Sequence, residues 1–187
     1  MPTTRRELLK ATAGLGLTGA TGLAVLPATV RAQAVGSPLK LFPALKLDGE
    51  MFKPESFGAA AGSGSAPGGG VTLIYFWASW CPHCLRDLPT LRDKQATLKD
   101  KGFNILGVNM DTDPGLAQKW IDTHKVNFPT VRMTGDYQQA YLPKSRVTPA
   151  WWLAGRDGVV VDSVVGGGAE FVYRQRGDQI ERLVGKG

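Results

Sequence analysis

Cys81 and Cys84 are the residues of this sequence with the clearest capacity for chemistry. They are the only cysteines in the chain, and two residues separate them in the stretch YFWASWCPHCLRDLP. Such a pair can bind a metal, form a structural disulfide, or carry out thiol–disulfide exchange. A zinc site needs about four ligands, and His83 and His124 are the only histidines. A disulfide that closes so short a loop would add little stability through chain entropy.

The sequence on either side of the pair favours thiol–disulfide exchange. A continuous apolar run, VTLIYFW, precedes it and is typical of a strand that is buried on both faces. Pro82 then begins a segment in which leucines recur at helical spacing. Cys81 is therefore predicted at a helix N-terminus, where free N–H groups and the helix dipole stabilise a thiolate. We predict that Cys81 is the attacking sulfur and that Cys84 resolves the mixed disulfide.

Strand and helix patterns alternate through the rest of the chain, which indicates an α/β fold. Asp48-Gly49 marks a turn beside an N-terminal strand or hairpin, and Arg156-Asp157-Gly158 marks a hairpin turn near the C-terminus. The predicted elements between and after these turns are a strand at 71–77, a helix at 82–101, a strand at 103–110, a helix at 113–125, a short strand or extended loop at 128–133, a helix at 136–142, two strands around 156–158 and a closing helix. This order predicts a central mixed sheet with helices on its faces.

The first 34 residues have the layout of a secretory signal peptide. An uncharged run over residues 11–30 follows the charged start, and a small-residue site, AQA, ends at Ala34. The start, TRRELLK, resembles the twin-arginine export signal through Arg5 and Arg6, which implies export of the folded protein to the periplasm. We predict cleavage after Ala34. A retained membrane anchor is the alternative, although the run is short for a bilayer core of about 30 Å.

Composition adds two expectations for the mature chain. Residues 58–70, GAAAGSGSAPGGG, contain no charge and no large side chain, which predicts a flexible loop inside the domain. The formal net charge is +6, but only 18 basic and 15 acidic residues remain beyond residue 34. Domains that bind nucleic acid cluster Lys and Arg on one face, and this sequence gives no such indication. We therefore expect no nucleic-acid partner.

The residues around the cysteine pair resemble those of a known family. The stretch VTLIYFWASWCPHCLRDLPTL is similar to the TlpA/ResA group of exported bacterial thioredoxin-like proteins, in which a tryptophan, here Trp80, precedes the pair. DLP matches the acidic-x-Pro spacing after the second cysteine of that group. The stretch VTPAWWLAGRDGVVV resembles the segment in which a cis-proline faces the cysteines. By this match Pro149 is the cis-proline and Thr148 is the residue before it.

The resemblance implies a thioredoxin fold for residues 35–187, with a central mixed β-sheet flanked by helices and an N-terminal strand extension. It also implies a thiol–disulfide oxidoreductase that uses no cofactor and no metal and acts on protein thiols or disulfides. Proteins of this group often serve cytochrome c maturation, so clients of that process and a membrane redox partner are candidate partners. Because the residues around the cysteine pair resemble those of the reductases in this group, we favour a reductase.

Two departures from the family pattern leave alternatives open. Tyr75 stands where thioredoxin has a buried aspartate; by the resemblance Asp111 is the candidate proton acceptor for Cys84, and the alternative is that it only starts a turn. Pro-His between the cysteines is the dipeptide of the oxidising protein DsbA, and a partly positive His83 would stabilise a thiolate on Cys81 and make the disulfide a stronger oxidant. A disulfide-donating oxidase is therefore one alternative. A copper-binding or copper-delivery protein that uses the same cysteines is another.

Overall fold

The computed structural model describes residues 32–57, 70–166 and 171–185, so most of the predicted signal peptide and of the predicted loop lies outside the described residues. Within those ranges, no helix combines the length and the apolar character that crossing a membrane requires. The elements in chain order are β1 (Ala44–Leu45), β2 (Met51–Phe52), β3 (Val71–Trp77), α1 (Pro82–Leu98), β4 (Phe103–Asn109), α2 (Pro114–His124), β5 (Thr130–Arg132), α3 (Gly135–Tyr141), β6 (Ala150–Ala154), β7 (Val160–Val165) and α4 (Val172–Val184).

The central sheet has five strands in the order β5-β4-β3-β6-β7. β3 pairs in parallel with β4, and β4 with β5, while β6 is antiparallel to both β3 and β7. In this register Tyr75 of β3 stands opposite Gly107 of β4 and Trp151 of β6. All residues of β3 are buried because it is the middle strand and both of its faces are covered, which explains its uninterrupted apolar sequence. The predicted mixed sheet is confirmed.

Helices cover both faces of this sheet. Successive residues of a strand point to opposite faces, and β3 shows this directly. On one face the Tyr75 hydroxyl donates to Asp87 of α1, and α1 also packs against α4. On the other face the ring of Phe76 contacts the rings of Tyr137 and Tyr141 in α3. β3 and the start of α1 are therefore held by packing from both sides.

Helix α1 carries the cysteine pair. Pro82 is its first residue, where the missing N–H is not needed, and Leu88, Leu91 and Leu98 are buried along one side. The helix ends at Leu98, earlier than predicted. A short 3₁₀ turn follows, and Gly102 with a φ of 85° reverses the chain into β4, a conformation that glycine adopts at little cost.

The N-terminal segment packs against α3 and the second hairpin. The N–H of Gln33 donates to the carbonyl of Ala140 at 2.6 Å, and its carbonyl accepts the indole N–H of Trp152 at 2.9 Å. Gln33 is buried, so the contacts of the domain include a residue before the predicted start at residue 35. β1 and β2 form an antiparallel hairpin across the predicted turn, where Gly49 has a φ of 87°. The predicted N-terminal strand extension is confirmed.

Candidate active site

Cys81 and Cys84 form a disulfide at the N-terminus of α1. Cys81 is the N-cap residue, and its Sγ accepts the backbone N–H of Cys84 at 3.2 Å. Cys81 is 4% exposed and Cys84 is 0% exposed, so Cys81 is the cysteine with some access to solvent. A thiolate on Cys81 would also lie beside the free N–H groups of the first helical turn. The roles of attacking and resolving sulfur stay predictions, and this geometry favours them.

The segment before β6 faces the disulfide. The peptide bond between Thr148 and Pro149 is cis, which confirms the cis-proline expected from the family resemblance. The Thr148 hydroxyl donates to the carbonyl of Phe76 at 2.8 Å and lies 3.1 Å from the Sγ of Cys84. A hydroxyl has one proton, and here it is donated in the hydrogen bond to the Phe76 carbonyl. The threonine oxygen is therefore placed to accept a hydrogen bond from the Cys84 thiol once the disulfide is reduced.

Apolar side chains are exposed around the cysteine pair. Trp80, the residue directly before the pair, is 60% exposed, and Val147 and Val165 are also exposed. The N–H of Gly166 donates to the carbonyl of Pro149 at 3.0 Å, so the end of β7 lies beside the cis-proline. Exposed apolar surface of this kind is typical of a site that contacts another polypeptide.

Asp111 stabilises the loop that leads into α1. Its carboxylate accepts the N–H and the hydroxyl of Ser79, both at 2.9 Å, and the side-chain amide of Asn109 at 2.8 Å. The same amide donates to the carbonyl of Trp77 at 3.4 Å. None of these hydrogen bonds goes to a cysteine. The role of Asp111 as proton acceptor for Cys84 stays a prediction, and its observed contacts fix the turn between β3 and the pair.

A second carboxylate, that of Asp87, is buried on the same helix. Asp87 is 2% exposed; it accepts the hydroxyl of Tyr75 at 2.8 Å and the backbone N–H of Phe171 at 2.7 and 2.8 Å. Tyr75 occupies the place of the buried aspartate of thioredoxin, so α1 brings a carboxylate to this strand position. The sequence marks Asp87 only as part of a family match. Its spacing of three residues from Cys84, which makes them neighbours on a helix, is the signal that could have assigned it to the site.

His83 is exposed and pairs with Arg86, one turn further along α1. The Nη2 of Arg86 lies 2.6 Å from the Nδ1 of His83. A guanidinium group can only donate, so the Nδ1 of His83 is the acceptor of this contact. Arg86 therefore brings a permanent positive charge beside His83. The role of His83 at the site stays a prediction.

The described residues offer no evident metal centre. Among residues 32–57, 70–166 and 171–185, no group of three or more His, Cys, Asp or Glu side chains is placed to hold a metal ion. His124, the second histidine, stacks on Trp120 at the end of α2.

Solved structures of bacterial thiol–disulfide proteins have a similar fold. A thiol:disulfide interchange protein of the thioredoxin family from Chlorobium tepidum TLS aligns with a TM-score of 0.64 and 20% identity, over 82% of this chain and 99% of that one. A secreted Mycobacterium tuberculosis disulfide oxidoreductase, homologous to DsbE of E. coli, aligns with a TM-score of 0.59 and 21% identity, over 76% and 96% of the two chains. At these identities the likeness establishes the thioredoxin fold.

Relatives with assigned names are similar over shorter stretches. The thiol-disulfide oxidoreductase ResA of Bacillus cereus is 27% identical over 99 residues, which are 50% of this chain and 54% of that protein. The thiol:disulfide interchange protein HelX of Rhodobacter capsulatus is 30% identical over 118 residues, 63% and 58% of the two chains. ResA of Oceanobacillus iheyensis is 36% identical over 57 residues, 30% of each chain. The matched region therefore spans less than two thirds of each of these relatives.

A family profile matches a longer part of the chain. The profile of the AhpC/TSA family matches residues 43–163. The matched region starts just before β1 and ends within β7, so it contains the disulfide, Asp87, Asp111 and the cis-proline. It covers more than half of the chain. Together with the five-stranded mixed sheet and its covering helices, this match shows that the chain belongs to the AhpC/TSA family of thioredoxin-like proteins.

Proposed function

We propose that this protein is an exported thiol–disulfide oxidoreductase that exchanges disulfides with protein substrates through Cys81 and Cys84. The observation that carries the proposal is the disulfide at the N-terminus of α1, with the more exposed of the two cysteines as the N-cap residue. A reduced pair in this position has a nucleophile stabilised by the helix and a second sulfur within bonding distance. The names of the ResA and HelX relatives agree with this activity.

In the reductase direction the reaction has two exchange steps. The Cys81 thiolate attacks a substrate disulfide, forms a mixed disulfide and releases one substrate thiolate. Cys84 then loses its proton and attacks the Sγ of Cys81, which releases the second substrate sulfur and restores the disulfide of the protein. Two electrons pass from the protein to the substrate. Asp87 and Asp111 are the two candidate acceptors for the proton of Cys84.

Single cysteine variants test the proposal. Cys84→Ser should accumulate a mixed disulfide between Cys81 and substrate, because the resolving sulfur is absent. Cys81→Ser is the matched control and should form none. The measurement is the mass of adducts after incubation with a peptide disulfide, with and without a reductant. Adducts on Cys81→Ser but not on Cys84→Ser would reverse the assigned roles, and no adduct on either variant would contradict the proposed activity.

Reduction of substrates is the proposed direction, because the residues around the pair resemble those of the TlpA/ResA reductases. A disulfide-donating oxidase is the second candidate, and a specific observation favours it: the permanently charged guanidinium of Arg86 contacts His83, the residue between the cysteines. A cation near Cys81 stabilises its thiolate and therefore the reduced form, which raises the potential. Equilibration with glutathione decides between them. A potential near the value of about −270 mV of thioredoxin supports a reductase, and one near the value of about −120 mV of DsbA supports an oxidase.

Export through the twin-arginine route and a periplasmic location complete the proposal. The support is the TRRELLK stretch and the small-residue site before Val35. Replacing both Arg5 and Arg6 by lysine should stop the protein from reaching the periplasm, which fractionation and immunoblotting would measure. Unchanged export would contradict the route but not the activity. Clients in cytochrome c maturation and a membrane redox partner are proposed from the family resemblance alone.

A further inference from the structure

Two guanidinium groups contact one aromatic ring near the cysteine pair. The Cζ atoms of Arg86 and Arg174 lie 5.3 Å and 4.7 Å from the centroid of the Phe171 ring. Both arginines are exposed. Phe171 directly precedes α4, and its backbone N–H is bound by the buried carboxylate of Asp87 on α1. The fold therefore fixes the ring between the two helices and holds one arginine from each helix against it. We call Arg86, Phe171 and Arg174 the cationic cluster.

The charges of the cationic cluster have no ion-pair partner within the described part of the chain. Other arginines do have one: Arg92 pairs with Asp93 and Arg176 with Asp162. Asp87, which follows Arg86 in the chain, is buried and accepts hydrogen bonds from a tyrosine hydroxyl and a backbone N–H. Glu170, which precedes Phe171, lies outside the described residues. Two like charges held on one ring repel each other. A carboxylate that binds between them would relieve this repulsion and gain charge-assisted hydrogen bonds.

One member of the cationic cluster contacts the residue between the two cysteines. The Nη2 of Arg86 lies 2.6 Å from the Nδ1 of His83, and His83 stands between the two cysteines in the chain. Trp80 is exposed directly before the pair. A polypeptide that brings its own sulfur to Cys81 therefore places the neighbouring residues of that polypeptide within reach of Arg86.

We propose that the cationic cluster selects protein substrates whose reactive cysteine is flanked by Asp or Glu. This inference rests on the proposed thiol–disulfide exchange and names the class of substrate for it. Guanidinium groups bind carboxylates through two parallel hydrogen bonds. Charges beside a site also raise the rate of encounter with partners of opposite charge. The cluster supplies both effects at the place where flanking residues of the substrate must lie.

Three matched peptide disulfides test the selection. They share one sequence except that glutamate, glutamine or lysine flanks the cysteine. Reduced protein converts each peptide disulfide to two peptide thiols while the Cys81–Cys84 disulfide forms, so the electrons balance. The measurement is the second-order rate constant at low ionic strength. We expect the glutamate peptide to react fastest and the lysine peptide slowest, and the ratio should shrink at high salt.

Arginine variants locate the source of this preference. The double variant Arg86→Gln with Arg174→Gln should lower the ratio of the glutamate to the lysine rate constant about five- to tenfold. A ratio cancels any change in the intrinsic reactivity of Cys81. Arg174→Gln alone leaves the contact between Arg86 and His83 intact and should give a smaller loss. Arg182→Gln, in the last turn of α4, is the control and should leave the ratio unchanged.

Each outcome decides one of the two proposals. Equal rate constants for the three peptides of the wild-type protein would overturn the selection and leave the proposed exchange activity standing. A preference for glutamate that persists in the double variant would also overturn the assignment to the cationic cluster. No exchange with any peptide would overturn the proposed function, and the inference with it.

Discussion

Replacing Thr148 by valine removes one hydroxyl from the active site and keeps nearly the same side-chain shape. In the oxidised protein this hydroxyl donates to the carbonyl of Phe76 and has the Sγ of Cys84 at 3.1 Å. On reduction Cys84 gains a proton, because a sulfur buried this completely favours the thiol. The threonine oxygen is then its acceptor. This hydrogen bond exists only in the dithiol form, so it stabilises that form relative to the disulfide.

The magnitude of the effect follows from the strength of this one bond. A net hydrogen bond contributes about 0.5–1.5 kcal/mol, and a thiol is a weak donor, so the lower half of that range applies. For a two-electron couple about 1.4 kcal/mol corresponds to 30 mV. Thr148→Val should therefore make the potential more negative by about 10–20 mV. The bond from Thr148 to Phe76 is lost in both redox states, so its loss lowers stability without changing the potential.

The assay is equilibration of each variant in glutathione or dithiothreitol buffers, followed by alkylation of thiols and mass analysis. Thr148→Ser keeps the hydroxyl and is the matched control, which should retain the wild-type potential. The reasoning would be refuted by a valine variant with the potential of the wild type. It would equally be refuted by a serine variant whose potential shifts as far as that of the valine variant.

Three further changes test the packing around the site. Asp87→Ala should lower the free energy of unfolding by about 3 kcal/mol, because the Phe171 N–H loses a charged acceptor. Urea denaturation measures this loss, with Asp87→Asn as the control. Equal stability of the wild type and the alanine variant would contradict the prediction. Cleavage at the predicted site would leave a chain without Gln33. That chain should be less stable by about 1–3 kcal/mol than a chain that begins at Gln33, because the Trp152 indole loses its acceptor. Identical urea midpoints of the two chains would count against this. Burial raises the pKa of Tyr137 from 10.0 to about 12, so the folded state keeps the phenol proton. The contribution of this phenol to the free energy of unfolding is complete below pH 10 and is lost as the pH rises towards 12, by up to about 3 kcal/mol. Urea titrations at both ends of that range should show a smaller loss of the free energy of unfolding for Tyr137→Phe than for the wild type.

The position of the redox pair could be predicted because its signals are local. The run VTLIYFW predicts a buried strand by composition alone, and Pro82 with the leucines after it predicts the start of a helix. Between them Cys81 can only be at the helix N-terminus. The hairpin near the C-terminus was predictable for the same reason, since Arg156-Asp157-Gly158 is a turn signal and Gly158 has a φ of 75°.

The charge at the site could not be predicted from the dipeptide alone. His83 between the cysteines suggests a partly positive imidazole, but the permanent positive charge beside it belongs to Arg86. This pairing requires particular side-chain rotamers on α1, which the position of Phe171 under the guanidinium helps to fix. Phe171 is far along the chain, and its backbone N–H is held by the carboxylate of Asp87. No pattern of neighbouring residues indicates that contact.

The resemblance to the TlpA/ResA group identified the cis-proline, and the sequence by itself determined most of the strands and helices and the cysteine pair at the start of α1. Periodicity, capping and turn chemistry act over a few residues, so these features can be read along the chain. Only the tertiary structure decided which side chains meet the sulfur atoms and the acids. Thr148 reaches Cys84 across 64 residues and Phe171 reaches Asp87 across 84. Such contacts depend on how α1, α4 and the central sheet pack together, because burial and hydrogen bonding in three dimensions, and not spacing in the chain, select them.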